Sequence, residues 1–206
     1  MLTLYYAAGT CALASHITLE CAGAKYDTVR LDFSKQEQHS PEYLRINPKG
    51  RVPALVTDRG ILTETPAILL YVAQTHPQAK LAPLDDAFAL AKVNEFNSYI
   101  CSTVHVAHAH RRRGARWADD ERAHEAMRAK VPQNMGDCFE LIEREMLRGP
   151  WVLGEAFSIC DAYLFTLAGW LEGDGVDIAR FPNVAEHFAR MQADARVQKV
   201  LAQHGA

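Results

Sequence analysis

The order of short apolar segments in the first third of the chain constrains its fold more than any other feature. Residues 2–6 are apolar and aromatic and stop near Gly9, as a buried strand leading into a turn does. A helix is predicted over residues 11–21, and residues 29–33 alternate in polarity, which predicts a second strand with one buried face. Residues 52–56 and 61–63 flank Asp58-Arg59-Gly60 and predict a hairpin. The predicted order is β-α-β, a polar loop, and then β-β-α.

The remaining sequence predicts helices only. Thr65 and Pro66 suit a helix start, with Thr65 as the N-cap and Pro66 at the first helical position. Pro77 and Pro83 stand among polar residues and indicate a linker. Beyond it, apolar residues recur at helical spacing, as in Val93, Phe96, Ile100 and Val104 or Met135, Phe139, Ile142 and Met146. We therefore predict an α/β domain over residues 1–78 and an all-helical domain over residues 84–206.

One helix of the second domain should lie at its centre. Ser158 and Asp161 have the spacing of a capping box, in which each side chain binds a backbone N–H of the other's region. The run that follows, residues 162–171, is almost wholly apolar. A helix without a polar face is buried on all sides, so this segment is predicted to be the core of the bundle.

Composition argues against several classes of protein. The formal net charge of -3 provides no overall field that would attract nucleic acid or an anionic membrane. The five cysteines are odd in number and widely spaced, which indicates reduced thiols rather than a disulfide framework. No segment offers the roughly 18 uninterrupted apolar residues of a membrane span, and the N-terminus does not resemble a secretory signal. We expect a cytoplasmic protein without a nucleic-acid or membrane partner.

Cys11 is the first residue with a possible chemical role. It follows a strand and the Gly9-Thr10 turn and opens a helix, where free backbone N–H groups and the helix dipole favour a thiolate. The alternative is a small buried hydrophobic residue, which is what most free cysteines are. The position of Cys11, rather than its identity, favours the reactive interpretation.

Two further segments could bind a ligand through their backbones. A proline at position 53, directly before a strand, allows a cis peptide bond that presents main-chain groups, although a trans bond at an edge strand is the commoner case. Glu64 and Thr65 stand at a helix N-terminus, where N–H groups and a hydroxyl suit a carboxylate and Glu64 suits an ammonium. An amino-acid head group would match both, whereas a simple cap with a surface glutamate is the alternative.

His105, His108 and His110 form the densest polar cluster, and Arg111, Arg112 and Arg113 follow them directly. Two of the imidazoles could share a helix face, but no cysteine or carboxylate lies at ligand spacing, so we predict no metal site. The arginines are interpreted as a solvated helix end whose cations complement the helix dipole.

Four segments together resemble the cytosolic glutathione transferases, closest to the bacterial beta class. They are LYYAAGTCALASHI, INPKGRVPALV, ILTETPAILLY and FSICDAYLF, and their order and spacing extend the resemblance over essentially the whole chain. The resemblance implies a thioredoxin-like N-terminal domain that binds glutathione and a helical domain that completes the site for a second substrate. It also implies a homodimer.

The resemblance assigns roles to residues that match the family's motifs. Cys11 matches the beta-class cysteine beside the glutathione sulfur, and His105 matches the histidine that the helical domain brings towards it. Val52 would pair with the cysteinyl part of glutathione before a cis Pro53. The other implied glutathione contacts are Thr10, Lys35, Arg51, Glu64 and Thr65. Ser158 and Asp161 match the family's folding cap, a structural role.

The chain departs from the beta class at two places. Ala12 stands where a serine often follows the cysteine, and Val106 stands where a lysine often follows the histidine. Thr10, His105, the helix N–H groups, Tyr5 or Tyr6 could stabilise the thiolate instead. Glutathione would supply the nucleophile as co-substrate, so no metal or other cofactor is needed.

The resemblance leaves three activities open. The expected activity is transfer of glutathione to a small hydrophobic electrophile, a detoxification reaction. One alternative is a glutathione-dependent disulfide reductase that acts through Cys11. The other is a protein that binds glutathione without turning it over, since a fold does not fix a function.

Overall fold

The computed structural model describes residues 1–205, and its strands belong to one mixed sheet. They are β1 (Leu2–Tyr6), β2 (Tyr26–Arg30), β3 (Ala54–Thr57) and β4 (Gly60–Thr63), and their order in the sheet is β2-β1-β3-β4. β2 pairs with β1 in parallel, whereas β3 pairs antiparallel with β1 and with β4. A parallel pair needs a crossover connection, and α1 (Ala12–Cys21) provides it. The predicted thioredoxin-like α/β architecture is confirmed.

Helices make up the rest of the fold. The first part contains α2 (Pro41–Ile46) and α3 (Thr65–Thr75), and the second contains α4 (Ala87–Tyr99), α5 (His105–Ala109), α6 (Glu121–Leu141), α7 (Ile159–Ala168), α8 (Pro182–Ala193) and α9 (Ala195–His204). A π-helical turn, Ile100–Val104, joins α4 to α5, so that α4 and α5 lie on one continuous helical segment. The predicted helical second domain is confirmed, whereas the bounds 1–78 and 84–206 stay a prediction. Within residues 1–205, no helix is both long and apolar enough to cross a membrane.

α7 connects the two parts of the molecule. Every one of its residues is buried, and it packs against α1 from the first domain as well as α4 and α8. The predicted capping box is present at its start: Ser158 accepts a backbone hydrogen bond, and Asp161 accepts one from the Ser158 N–H at 2.7 Å. The prediction that this segment forms the core is therefore confirmed.

The prediction for the second strand was wrong in its bounds. β2 ends at Arg30, and Val29, which we expected on the buried face, is 37% exposed. β2 is an edge strand that pairs only with β1 among the described strands, so most of its side chains face solvent. Leu31, just beyond the strand, is buried, and its backbone N–H donates to Tyr6 O at 2.8 Å. The alternation in polarity over residues 29–33 therefore arose mainly from residues that follow the strand.

One helix was not predicted, and another begins with a different N-cap. The predicted polar loop between the second strand and the hairpin contains α2, whose first residue is proline. Its N-cap, Ser40, accepts a hydrogen bond from the Tyr43 N–H at 3.1 Å. α3 begins at Thr65, so its N-cap is Glu64 and not Thr65. Glu64 has φ 71° and makes no side-chain cap hydrogen bond. Sequence preferences for N-caps did not anticipate a glutamate in this backbone conformation.

Candidate functional site

A cleft of about 780 Å³ lies between the two parts of the molecule. One wall comes from the segments around β3 and the start of α3, and the other comes from α5 and the turn after it. Eight of the nine site residues predicted from sequence line this cleft: Thr10, Cys11, Arg51, Val52, Pro53, Glu64, Thr65 and His105. Residues far apart in sequence thus meet in one concave surface.

Cys11 is held by its backbone position and by two neighbouring segments. It is the N-cap of α1, and Thr10 fixes the preceding turn by donating its hydroxyl to Ala7 O at 2.7 Å. The Cys11 thiol points at the Val52 carbonyl oxygen, 3.7 Å from Sγ. The bond between Val52 and Pro53 is cis, as the resemblance implies.

The expectation that the helix start favours a Cys11 thiolate was wrong for the protein alone. Cys11 is 8% exposed, and burial raises the pKa of its thiol above the ordinary value. The Thr65 hydroxyl and the Arg113 guanidinium lower that pKa, but burial is the larger effect. Cys11 is therefore a protonated thiol at neutral pH, which can donate a hydrogen bond to a sulfur or oxygen atom placed beside it.

Glu64 and Thr65 form a rigid corner of the cleft. The positive φ of Glu64 is uncommon for a residue with a side chain and costs on the order of 1–3 kcal/mol, a strain typical of functional sites. Thr65 is buried, whereas the Glu64 carboxylate is exposed and pairs with Lys49. Lys49 also donates to the Thr63 hydroxyl at 2.6 Å. This corner offers one carboxylate, one ammonium and one hydroxyl to a zwitterionic group.

His105 enters the cleft from α5 and packs against Trp170, with ring centroids 5.1 Å apart. His108 stacks on the same indole at 4.2 Å, and its Nδ1 lies 2.7 Å from the buried carboxylate of Asp174. Burial lowers the pKa of His105 to about 4, and the positive charge of Arg113 adds to that effect. His105 is thus neutral at neutral pH and has a ring nitrogen that can accept a hydrogen bond.

The histidines and arginines of residues 105–113 contact different neighbours rather than forming one site. His110 stacks on Trp117, with ring centroids 4.2 Å apart, and Arg111 lies 3.5 Å from Asp174. No group of three potential metal ligands from His, Cys, Asp and Glu occurs within residues 1–205. The interpretation of the arginines as one solvated helix end was wrong for Arg113, which lines the cleft.

Comparison with known proteins agrees with this architecture. Profiles of the glutathione S-transferase N-terminal and C-terminal domains match residues 1–74 and 113–190. Glutathione S-transferase GstA of Escherichia coli O157:H7 is 31% identical over 204 residues, with 98% of both chains covered. The chain belongs to the glutathione S-transferase family. The resemblance found in the sequence is thereby confirmed, and the protein is an enzyme of this class.

Two solved structures extend the comparison. A glutathione transferase homologue from Sulfitobacter, solved with bound glutathione, is 48% identical with a TM-score of 0.95, and 98% of each chain is covered. The beta-class glutathione S-transferase of Sphingomonas chungbukensis is 31% identical with a TM-score of 0.85, again with 98% of each chain covered. Both similarities extend over the two parts of the fold.

Lys35 is the predicted site residue that this glutathione S-transferase does not place in its cleft. Its side chain is 73% exposed and its Nζ lies 3.4 Å from Asp32, because residues 33–35 form a short 3-10 turn that directs the lysine away. Lys49 is the lysine that lines the cleft instead. Lys49 lay within the INPKGRVPALV segment, so its position was visible, but its pairing with Glu64 was not.

Sequence reasoning also missed several lining residues of the helical part: Cys101, Arg116, Trp117, Tyr163 and Trp170. Arg116 and Trp117 belong to the turn after α5 and gave no periodic signal. Tyr163 lies inside the apolar α7 run, which indicated only a core residue. Its burial raises the pKa of its phenol well above the ordinary value, so Tyr163 is a neutral hydroxyl near Thr65 and Cys11.

Proposed function

We propose that this glutathione transferase binds reduced glutathione in the cleft and transfers it to a small electrophile. The observation that carries the proposal is the convergence of Val52, Thr65 and Cys11 from one domain with His105 from the other on a single cleft. The Sulfitobacter homologue, 48% identical and solved with glutathione, supports this choice of ligand.

The γ-glutamyl head of glutathione is assigned to the corner of the cleft. Its ammonium matches the Glu64 carboxylate, and its carboxylate matches the Thr65 hydroxyl and the start of α3. The Val52 backbone, next to the cis bond, lines the cleft and is assigned to pair with the cysteinyl part of the ligand. This arrangement points the glutathione sulfur towards Cys11 and His105.

The chemistry follows from the protonation states of these two residues. The Cys11 thiol is protonated because burial raises its pKa, so it can donate a hydrogen bond that stabilises the glutathione thiolate. Neutral His105 can accept a hydrogen bond from the glutathione thiol, but its pKa of about 4 is too low for it to keep the proton, so the proton is released to solvent. The thiolate then attacks an electrophilic carbon, a C–S bond forms and the leaving group departs with its electron pair.

Disulfide exchange through Cys11 is the second candidate, because Cys11 lines the same cleft. A mixed disulfide at Cys11 requires its thiolate at some step, and a raised pKa reduces the thiolate fraction. We therefore place transfer to carbon first.

The acceptor is proposed to be a hydrophobic electrophile whose ring lies beside Trp117 and Trp170. Such an acceptor suits a role in detoxification.

We also propose that the protein is a cytoplasmic homodimer that requires no metal ion. A second copy is favoured by exposed apolar residues on α4, α6 and β4: Phe88 is 73% exposed, Leu141 42% and Ile61 41%. Phe88 and Leu141 line an apolar groove of about 1300 Å³ that lies away from Cys11. Apolar patches of this kind commonly mark interfaces between proteins.

The test separates recognition of glutathione from its chemistry. Glu64→Ala should weaken glutathione binding by about tenfold, as expected for loss of a charge-assisted hydrogen bond at an exposed site, and should leave Cys11 reactive towards small thiol reagents. Cys11→Ala should retain most of the affinity for glutathione but lose transferase turnover and the glutathionyl adduct formed with oxidised glutathione. Calorimetry, turnover and intact mass measure these three quantities.

Cys21→Ala is the matched control, because Cys21 lies at the end of α1 and does not line the cleft. It should behave as the unmodified protein does. Full turnover by Cys11→Ala would exclude Cys11 from the mechanism, and unchanged affinity in Glu64→Ala would refute the assignment of the γ-glutamyl head.

A further inference from the structure

The cleft carries an excess of positive charge. Four cationic side chains line the cleft, Lys49, Arg51, Arg113 and Arg116, but Glu64 is its only acidic lining residue among residues 1–205. Lys49 pairs with Glu64. Within the same described residues, the guanidinium groups of Arg51, Arg113 and Arg116 have no carboxylate within 4.0 Å and make no side-chain hydrogen bond.

These three arginines share the lining of one cleft, Arg113 partly buried and Arg51 and Arg116 more exposed. Partial burial lowers the pKa of Arg116, and the charges of Arg113 and Arg51 lower it further. The same three guanidinium groups also lower the pKa of His105. A protein normally relieves like charges with a counter-ion, so a cluster of this kind without an acidic partner is suited to an anionic ligand.

Glutathione by itself does not account for the whole cluster. It carries one ammonium and two carboxylates, and its γ-glutamyl head is assigned to the corner formed by Glu64 and Thr65. Its glycyl carboxylate then requires one cation, for which Arg51 lies on the same wall as Val52. The charge of Arg113 lowers the pKa of Cys11, and Arg116 lies three residues further along the turn after α5. Arg116 remains for the second substrate.

The turn that bears Arg116 is fixed against α6. His124 Nε2 lies 2.6 Å from the Ala118 carbonyl oxygen, and Gly114 lets the backbone approach the His124 ring, since a Cβ there would lie 2.8 Å from it. Trp117 follows Arg116 directly and lines the cleft while His110 stacks on its indole. One turn therefore presents a guanidinium and an aromatic surface side by side.

We propose that the acceptor of this glutathione transferase is a small aromatic electrophile that carries a negative charge, bound through Arg116 and Arg113 with its ring beside Trp117. The inference rests on the proposed glutathione transfer and specifies its second substrate. In the reaction, the glutathione thiolate attacks the ring carbon that bears a halogen, the C–S bond forms, and the carbon–halogen bond breaks with release of halide. The thiol proton has already passed to solvent.

Two matched acceptors test the proposal: 4-chloro-3-nitrobenzoate and its neutral methyl ester, each rate divided by the uncatalysed rate with glutathione. The protein should favour the benzoate in kcat/KM, and this preference should fall by about five- to tenfold in Arg116→Gln. It should also decrease with added salt, because exposed charges are screened. Arg112→Gln is the control. It removes the same charge from a nearby exposed position, and Arg112 does not line the cleft. Its preference should be unchanged.

A binding measurement gives the result independently of turnover. Calorimetry with 4-nitrobenzoate, on protein saturated with S-methylglutathione, should show binding that 4-nitrobenzamide lacks and that Arg116→Gln weakens. Equal loss in Arg112→Gln, or no preference for the anion in either assay, would overturn the proposal. A larger effect of Arg116→Gln on S-methylglutathione than on the anion would assign Arg116 to glutathione and also overturn it. Failure of S-methylglutathione itself to bind would refute the proposed function, and the anion would then be titrated into the protein alone.

Discussion

Replacing Asp161 with alanine should destabilise this protein much more than replacing an exposed capping residue such as Asp177. The Asp161 side chain is fully buried and has four hydrogen-bonding partners. Oδ2 accepts from the N–H of Ser158 at 2.7 Å and from its hydroxyl at 3.0 Å. Oδ1 accepts from the Val152 N–H at 2.8 Å and lies 3.0 Å from His187 Nε2. The carboxylate thus joins the start of α7 to a loop and to α8.

The magnitude follows from what the substitution leaves behind. A hydrogen bond to a charged group contributes about 1.5–3 kcal/mol, but four bonds to one carboxylate are not additive. A buried polar group left without a partner costs about 1–3 kcal/mol, and the substitution leaves such groups on Val152, Ser158 and His187. We expect Asp161→Ala to lower the free energy of unfolding by about 3–5 kcal/mol and Tm by about 6–20 °C for a chain of this length.

Urea unfolding followed by tryptophan fluorescence measures this change. Asp177→Ala is the matched control, since Asp177 caps an exposed short turn with one hydrogen bond, from the Ala179 N–H at 2.9 Å. It should cost about 1 kcal/mol or less. If Asp161→Ala lies within about 1 kcal/mol of this control, the reasoning about the buried carboxylate is refuted. Glutathione affinity of the folded fraction should not change, because Asp161 does not line the cleft.

Three further predictions concern acidity, assembly and metal. Burial lowers the pKa of His16 and of His204 to about 4, and the two rings share a hydrogen bond of 3.0 Å. In the unfolded chain these two histidines take up protons below about pH 6.5, whereas in the folded chain they do so only near pH 4. The free energy of unfolding should therefore fall as pH decreases from about 6.5 to about 4. The variant with His16→Gln and His204→Gln should show a smaller fall, and an equal fall would contradict this origin. Sedimentation at micromolar concentration should give twice the chain mass, and Phe88→Asp should shift it towards 22.9 kDa; a monomer throughout would rule out the dimer. Excess EDTA should leave transferase turnover unchanged, whereas a loss restored by one divalent ion would show a metal requirement.

The local signals in the sequence predicted most of the fold. The Asp-Arg-Gly turn placed the hairpin, and the Ser158–Asp161 spacing placed the start of α7, because both depend on residues close together in the chain. The bounds of β2 could not be predicted in the same way. Its exposure is set by its position at the sheet edge, which depends on strand order rather than on its own residues.

The same distinction applies to the site. The sequence by itself determined that Cys11 opens a helix, that Pro53 precedes a strand and that Glu64 and Thr65 stand at a helix start. Only the tertiary structure decided that Lys49, rather than Lys35, lies in the cleft and that Arg116 faces it from the other domain. It also decided the protonation of Cys11, since burial outweighs the helix start. Charges, burial and pairing are properties of neighbours in space, and these neighbours come from segments that are distant in the chain.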